Sequence, residues 1–248
     1  MWQERTELLV GEKGIARLRN AFVAVIGLGG VGAYAAEMVA RAGVGRMIVA
    51  DSDVVSDSNR NRQLLALTST VGKPKSLMMR ERLLDINPEL RLKVVEEYLT
   101  QENIPSILDD AIGALDGIAK GGNELFLIDA IDTLAPKIAL IKYAVSRGIH
   151  LVSSMGSGAK FDATKVRIAD ISKSFNCPLA YILRKKLRKE GIFKGFKVVF
   201  SEELPDRKAI VGTQGERNKK SQVGTISYLP AVFGCVCAQV TIRAILES

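Results

Sequence analysis

The sequence predicts an α/β protein built on a doubly wound, mainly parallel sheet, and three observations carry that prediction. Short apolar runs of strand length alternate with longer segments of helical periodicity over residues 20–155. The run FVAVI leads into glycines at 27, 29, 30 and 32 and then into a small-residue helical pattern at 31–41. Carboxylates recur where apolar runs end, Asp51 and Asp53 after MIVA, Asp129 and Asp132 after LFLI. Ligands of such sheets sit outside the carboxyl ends of the strands, so the glycine turn and the acidic tips converge on one edge. This is a Rossmann-like arrangement, with additional strands expected toward the C-terminus.

Each element has its own justification. Residues 3–20 carry Leu8, Leu9, Ile15 and Leu18 around GEKG, which suggests short helices leading into the first strand. Glycine suits the turn at 27–32 because a phosphate must approach the backbone there and the helix must pack close to the strand. Free N–H groups at the helix start then meet the anion. A strand at 47–50 ends in Asp51, where an acidic group binds ribose hydroxyls. The loop SDVVSDSNRNRQ concentrates Asp, Ser, Asn and Arg, a chemistry typical of functional loops. VGKPK opens a helix with Pro74 in its first turn, closed at Asn87-Pro88. Residues 90–98 alternate as a strand, and 101–119 fit a helix with Pro105 in its first turn, ending in the glycine pair 121 and 122. A strand at 125–128, a helix at 134–147 stopped by Gly148 and a strand at 149–152 complete the alternation. Beyond SSMGSG lie a strand at 166–170, a basic helix at 178–190, a strand at 197–201 and a closing helix at 229–246. Residues 202–224, with three glycines, Pro205 and RNKK, read as a long mobile loop.

Composition bounds the functional class. A chain of 248 residues, 47% hydrophobic and 25% charged, is ordinary for a soluble globular protein. Trp2 to Glu7 is polar and acidic where the apolar core of a leader would begin, and 226–246 contains Pro230, Gln239 and Arg243, so no membrane span is expected. The 3 cysteines, Cys177, Cys235 and Cys237, form no CxxC pair, which argues against a disulfide framework and a structural zinc site and favours a reducing cytoplasm. A net charge of +8 is compatible with a nucleic-acid or polyphosphate partner.

The glycine turn followed by Asp51 identifies a nucleotide site but not its nucleotide. Two cations decide the matter. Arg62 in the polar loop and Lys75 at the next helix start fall near the same edge. A dinucleotide pyrophosphate is satisfied by backbone amides, whereas a triphosphate carries more charge and benefits from Arg and Lys clamps. Asp132 adds a ligand for Mg2+, which commonly binds through one or two carboxylates plus phosphate oxygens. ATP is favoured over NAD, and the absence of GxxxxGK[ST] argues against a P-loop enzyme.

GLGGVG, the D-x-D at 51 and 53, SNRNRQ, GKPK, NP and DAIDT together resemble the motif series of the ubiquitin-activating-enzyme-like superfamily that includes ThiF, MoeB and HesA. RTELLVGEKG, SSMGSGAKFDATKVRIADI and CPLAYILRKKLRKEGI are similar to the branch of tRNA threonylcarbamoyladenosine dehydratases. The resemblance implies one adenylating domain over 1–248, with a nucleotide core at about 20–155 and a basic, substrate-side region at about 156–248. It implies that Gly27, Gly29, Gly30 and Gly32 underlie the nucleotide, that Asp51 binds ribose, and that Asn59, Arg62 and Lys75 bind phosphates, with Asp53 and Gln63 in the same site. It implies Asp132 as the magnesium ligand and Arg5 as an arginine finger entering the neighbouring subunit of a homodimer. The implied reaction activates a carboxylate of modified tRNA with ATP and cyclises it with loss of AMP. A sulfur-transfer protein is an implied partner.

Departures and alternatives qualify this expectation. The zinc-binding CxxC pairs of the sulfur-carrier activators are absent, position 33 is Ala where Ser is common, and no cysteine stands near residue 224. Cys177 reads as a buried thiol, Cys235 and Cys237 as core, His150 as structural, and Asp129 as structural or supporting. Arg184, Lys185, Lys186, Arg188 and Lys189, with RNKK at 217–220, form a surface suited to tRNA phosphates. Activation of a ubiquitin-like C-terminus, a nucleotide-binding scaffold without turnover, and a nicotinamide oxidoreductase are the alternatives.

Overall fold

Continuous apolar runs give each central strand two buried faces, and helices cover both. The computed structural model describes residues 2–116, 125–212 and 221–248. In chain order the elements are α1 (Glu4–Asn20), β1 (Phe22–Ile26), α2 (Gly32–Arg41), β2 (Arg46–Ala50), α3 (Lys75–Ile86), β3 (Arg91–Val95), α4 (Ile104–Asp116) and β4 (Leu125–Asp129). They continue with α5 (Leu134–Ser146), β5 (His150–Ser154), β6 (Val166–Asp170), α6 (Pro178–Lys189), β7 (Lys197–Ser201), β8 (Ile210–Gly212), β9 (Ser221–Val223) and α7 (Tyr228–Glu247).

The 7-stranded sheet has the order β3-β2-β1-β4-β5-β7-β6. All neighbouring pairs are parallel except β6 with β7. The chain winds outward from β1 to β3 and returns to start β4 on the other side, so the switch point lies between β1 and β4. Val23, Val25, Met47, Val49 and Ile128 face one core with α2 and α7. Phe22, Ala24, Ile26, Ile48 and Leu127 face a second with α5 and α6. Helix α7 is long and apolar enough to cross a membrane by length and composition. Here it is a core helix, burying Leu229, Phe233, Cys237 and Ile245. A Cβ on Gly234 would overlap the Val31 carbonyl oxygen, so α7 and α2 pack backbone to backbone.

The short helices expected before the first strand are present, since α1 is two helices joined at Gly11, whose φ of 71° breaks the helical path. Several other expectations need correction. Pro74 is the residue before α3, held extended at ψ 130°, and not in its first turn. Strand β3 stops at Val95, short of the predicted 98, where two glutamates end the apolar alternation. The region 202–224 is not wholly loop. Ile210, Val211 and Gly212 pair antiparallel with Val223, Gln222 and Ser221, and three-residue strands are too short for period-two alternation to reveal. Cys235 is exposed on the solvent side of α7, whereas Cys177 and Cys237 are buried. The glycine pair 121 and 122 and RNKK at 217–220 lie outside the described residues.

Candidate active site

The carboxyl ends of β1, β2 and β4 are aligned by register, Ile26 opposite both Ala50 and Asp129. Backbone pairing continues past them, from Gly27 N–H to Ala50 O at 2.8 Å and from Ala130 N–H to Ile26 O at 2.9 Å. Gly27 has φ 92°, and a Cβ there would stand 2.9 Å from Ala130 O. A Cβ on Gly32 would overlap the Gly27 carbonyl oxygen, so α2 starts in contact with the turn. Gly30 lies against Pro230 of α7, its Cβ position 3.0 Å from the proline ring. Gly29 is different. Its Cβ position meets only Gln63 Nε2 at 3.8 Å, leaving the turn backbone open to a ligand.

Asp51 is fixed beneath this turn. One carboxylate oxygen accepts from Leu28 N–H at 2.6 Å and the other from Asp53 N–H at 2.8 Å. Burial pushes its pKa above the ordinary value, opposed by the nearby Lys75 ammonium and the two backbone donors. Lys75 is almost fully buried at the start of α3, and its Nζ lies 2.9 Å from a carboxylate oxygen of the exposed Asp53. The cation and the D-x-D motif therefore form one unit.

The polar loop orders itself locally. Asn59 Oδ1 accepts from Ser56 N–H at 3.2 Å, capping a short 3-10 turn over Asp57–Asn59. Arg62 Nη1 donates to Ser58 O at 2.9 Å and to Asn61 Oδ1 at 2.7 Å. Gln63 Oε1 is buried without a hydrogen-bond partner, and the other amide atom of this side chain borders the space over Gly29. An unmet acceptor beside an open turn is what a nucleotide hydroxyl or amine would satisfy.

Asp129 is a structural residue. Fully buried, it pairs with the equally buried Lys137 at 2.8 Å and accepts from Ser153 Oγ at 2.6 Å and Ile131 N–H at 3.1 Å. Lys137 Nζ also donates to Ile131 O at 3.0 Å. This network clamps the DAID tip from which the exposed Asp132 projects. Sequence reasoning missed Lys137, whose signal was a lone lysine in the apolar run LAPKIAL. Among the described residues no group of three or more His, Cys, Asp or Glu could hold a metal. A single carboxylate fits magnesium that arrives with phosphates, not a resident metal centre.

Two predicted groups stand away from the turn. Gln3 Nε2 donates to Ala42 O at 3.4 Å, at the C-terminal end of the 10-residue α2. That end is about 15 Å along the helix from the glycine turn, so Arg5, exposed on the same segment of α1, stands toward the opposite edge of its own sheet. On α6, Arg184 folds back to Ser174, donating to its carbonyl at 2.7 Å and its hydroxyl at 2.5 Å, and leaves the predicted basic surface. Lys185, Lys186, Arg188 and Lys189 remain exposed. Helix α6 starts beside Gly156, whose Cβ position is 3.8 Å from Cys177 Sγ, so these cations lie about 12–18 Å farther along it. His150 is exposed and stacks on Phe126 with centroids 5.0 Å apart.

The ThiF family model matches residues 4–248. The tRNA threonylcarbamoyladenosine dehydratase of Bacillus subtilis is 42% identical over 239 residues, covering 94% of this chain and 89% of its own. That of Escherichia coli is 37% identical over 212 residues, 82% of this chain and 75% of its own. A crystal structure of the E. coli enzyme, TcdA, in complex with ATP superposes with a TM-score of 0.82 at 32% identity, covering 99% of this chain and 95% of that one. The chain belongs to the ThiF family.

Proposed function

We propose that the protein is an ATP-dependent tRNA-modifying dehydratase that adenylates the carboxylate of threonylcarbamoyl-adenosine and cyclises it with loss of AMP. The observation that carries the reading is one edge bearing an open glycine turn, the Asp51 carboxylate held beneath it by Leu28 N–H, a buried Lys75 and the Arg62 loop. Similarity to dehydratases named for this substrate supports the choice of carboxylate.

The substrate carboxylate oxygen attacks the α-phosphorus of ATP, and pyrophosphate leaves. Lys75 and Arg62 balance charge growing on the phosphates, Asn59 adds a polar contact, and Asp51 and Gln63 hold the nucleoside. Asp53 keeps the Lys75 ammonium aimed. Asp132 would hold Mg2+, which when bound neutralises phosphate charge. A nitrogen of the same modification then attacks the acyl carbon, AMP departs, and the nitrogen loses its proton. The net change in the nucleoside is loss of water. Because the ring closes within one molecule, positioning contributes much of the second step.

The enzyme works as a cytoplasmic homodimer in this reading. Arg5 reaches the partner's site, in keeping with its place at the far edge of its own protomer, and the exposed Leu8 and Leu9 beside it supply apolar contact surface. The substrate-side region 156–248 presents Lys185, Lys186, Arg188 and Lys189 to tRNA phosphates. A sulfur-transfer protein is a further expected partner, sought by co-purification.

Mass spectrometry of tRNA nucleosides after incubation with ATP and magnesium tests the reaction. Loss of water from threonylcarbamoyl-adenosine is expected with the wild type and not with Asp132→Ala. No loss, or equal loss in both, defeats the mechanism. Pyrophosphate release with a small carrier protein in place of tRNA would instead favour activation of a ubiquitin-like C-terminus.

A further inference from the structure

The loop carrying Arg62 and the antiparallel β8–β9 pair flank an open cleft of about 400 Å³, lined by Ser58, Asn61, Arg62, Val211, Gln222 and Thr225 among others. One side chain bridges its two walls. Asn61 Nδ2 donates to the Thr225 carbonyl at 3.0 Å, while Asn61 Oδ1 accepts from Arg62 Nη1 at 2.7 Å. The amide orientation follows from its partners, because a guanidinium only donates and a carbonyl only accepts. Thr225 belongs to the base of the hairpin. Gly224 N–H donates to Ala209 O at 2.7 Å, and Gly224 O accepts from Ala159 N–H at 2.8 Å, tying the base to the turn after β5. A single amide therefore joins the guanidinium proposed to meet phosphate with the β8–β9 wall of the cleft.

We propose that Asn61 is a positioning residue that couples the orientation of Arg62 to the placement of the β8–β9 hairpin. The inference rests on the reading of Arg62 as a phosphate ligand. Only a side chain that both donates and accepts can do this. Alanine loses both bonds. Aspartate keeps the acceptor for Arg62 but faces the Thr225 carbonyl with a second acceptor, so it holds the cation and releases the hairpin. Glutamine keeps both groups on a stem one methylene longer.

Hydrogen exchange of backbone amides at 207–212 and 221–226, with and without ATP, reads the coupling directly, and calorimetry measures ATP binding in the same samples. In the wild type, ATP slows exchange at the hairpin base by about three- to tenfold, the range expected for one hydrogen bond held more firmly. In Asn61→Ala and Asn61→Asp, ATP still binds but leaves hairpin exchange unchanged, and Asn61→Gln restores part of the effect. Equal slowing by ATP in wild type and Asn61→Ala overturns the proposal. ATP binding to the wild type without any hairpin response overturns it alone. Absence of ATP binding to the wild type overturns both it and the nucleotide site.

Discussion

Glu37 and Asp51 show how one residue type of charge is tuned in opposite directions by its neighbours. Glu37 is buried on α2, and burial by itself would raise its pKa, but Arg82 at 2.5 Å and Arg41 at 2.8 Å outweigh that and hold it below 4.5. Its stabilising contribution is present above pH 4.5 and is lost as pH falls through the lowered folded-state value. Glu37→Gln should cost about 2–3 kcal/mol at neutral pH and flatten the acid limb of a urea-denaturation pH series. Asp51 behaves in the reverse sense. Its raised pKa means the folded state is favoured below 3.8 and loses that advantage as pH rises through the higher folded value. In the proposed site ionisation makes Asp51 the stronger acceptor for ribose, so ATP affinity should rise over the same interval above pH 3.8, and Asp51→Asn should abolish that rise in calorimetric titrations. Lys75→Met should lower pyrophosphate exchange by about 10²–10³-fold through lost charge stabilisation. Its thermal midpoint should fall at neutral pH, because the buried Asp51 carboxylate loses an opposing charge, although Asp53, the other partner left behind, is exposed.

At the scale of elements, the glycine turn separates into positions that build the fold and a position that leaves room. Gly32→Ala would drive a methyl into the Gly27 carbonyl, costing about 3 kcal/mol or more, and should reduce soluble yield and thermal midpoint together. Gly29→Ala meets no neighbour closer than 3.8 Å, so the midpoint should stay near wild type while ATP affinity falls by roughly tenfold, since the methyl occupies ligand space. Equal thermal loss in the two variants would refute this division. The sequence showed four glycines in a turn without showing which served packing, because Gly27 and Gly30 are hemmed in by Ala130 and Pro230, both distant in the chain, and Gly32 by the Gly27 carbonyl only once the turn is folded. The β8–β9 pair was illegible for a related reason. Three-residue strands carry too little pattern, and their identity depends on each other.

For the whole molecule, the position of Arg5 is the most consequential feature. Anchored through Gln3 to the far end of α2, it stands away from the glycine turn of its own chain, and the proposed dimer is what would carry it to a nucleotide site. Random reassociation of Arg5→Ala with Lys75→Met subunits should therefore restore about one quarter of wild-type site activity, one intact site in each mixed dimer. Each variant alone should be near inactive, and no recovery on mixing would place Arg5 outside the reaction. Leu9, 85% exposed, should matter to association, and Leu9→Asp is expected to shift the protein to monomers in sedimentation while leaving the monomer folded.

The mainly parallel sheet, the glycine turn, the order of the longer helices and strands, and the residues gathered near the carboxyl edge were all legible in the sequence. These follow from local period, turn chemistry and strand-end carboxylates, all of which are written in consecutive residues. How the charges are used emerges from packing between distant segments. Asp129 is consumed by Lys137, Arg184 by Ser174 and Glu37 by Arg82, while Lys75 is aimed by Asp53 and Arg62 by Asn61. A charge's partner is set by what packs against it in three dimensions, and burial fixes how strongly the two must pair.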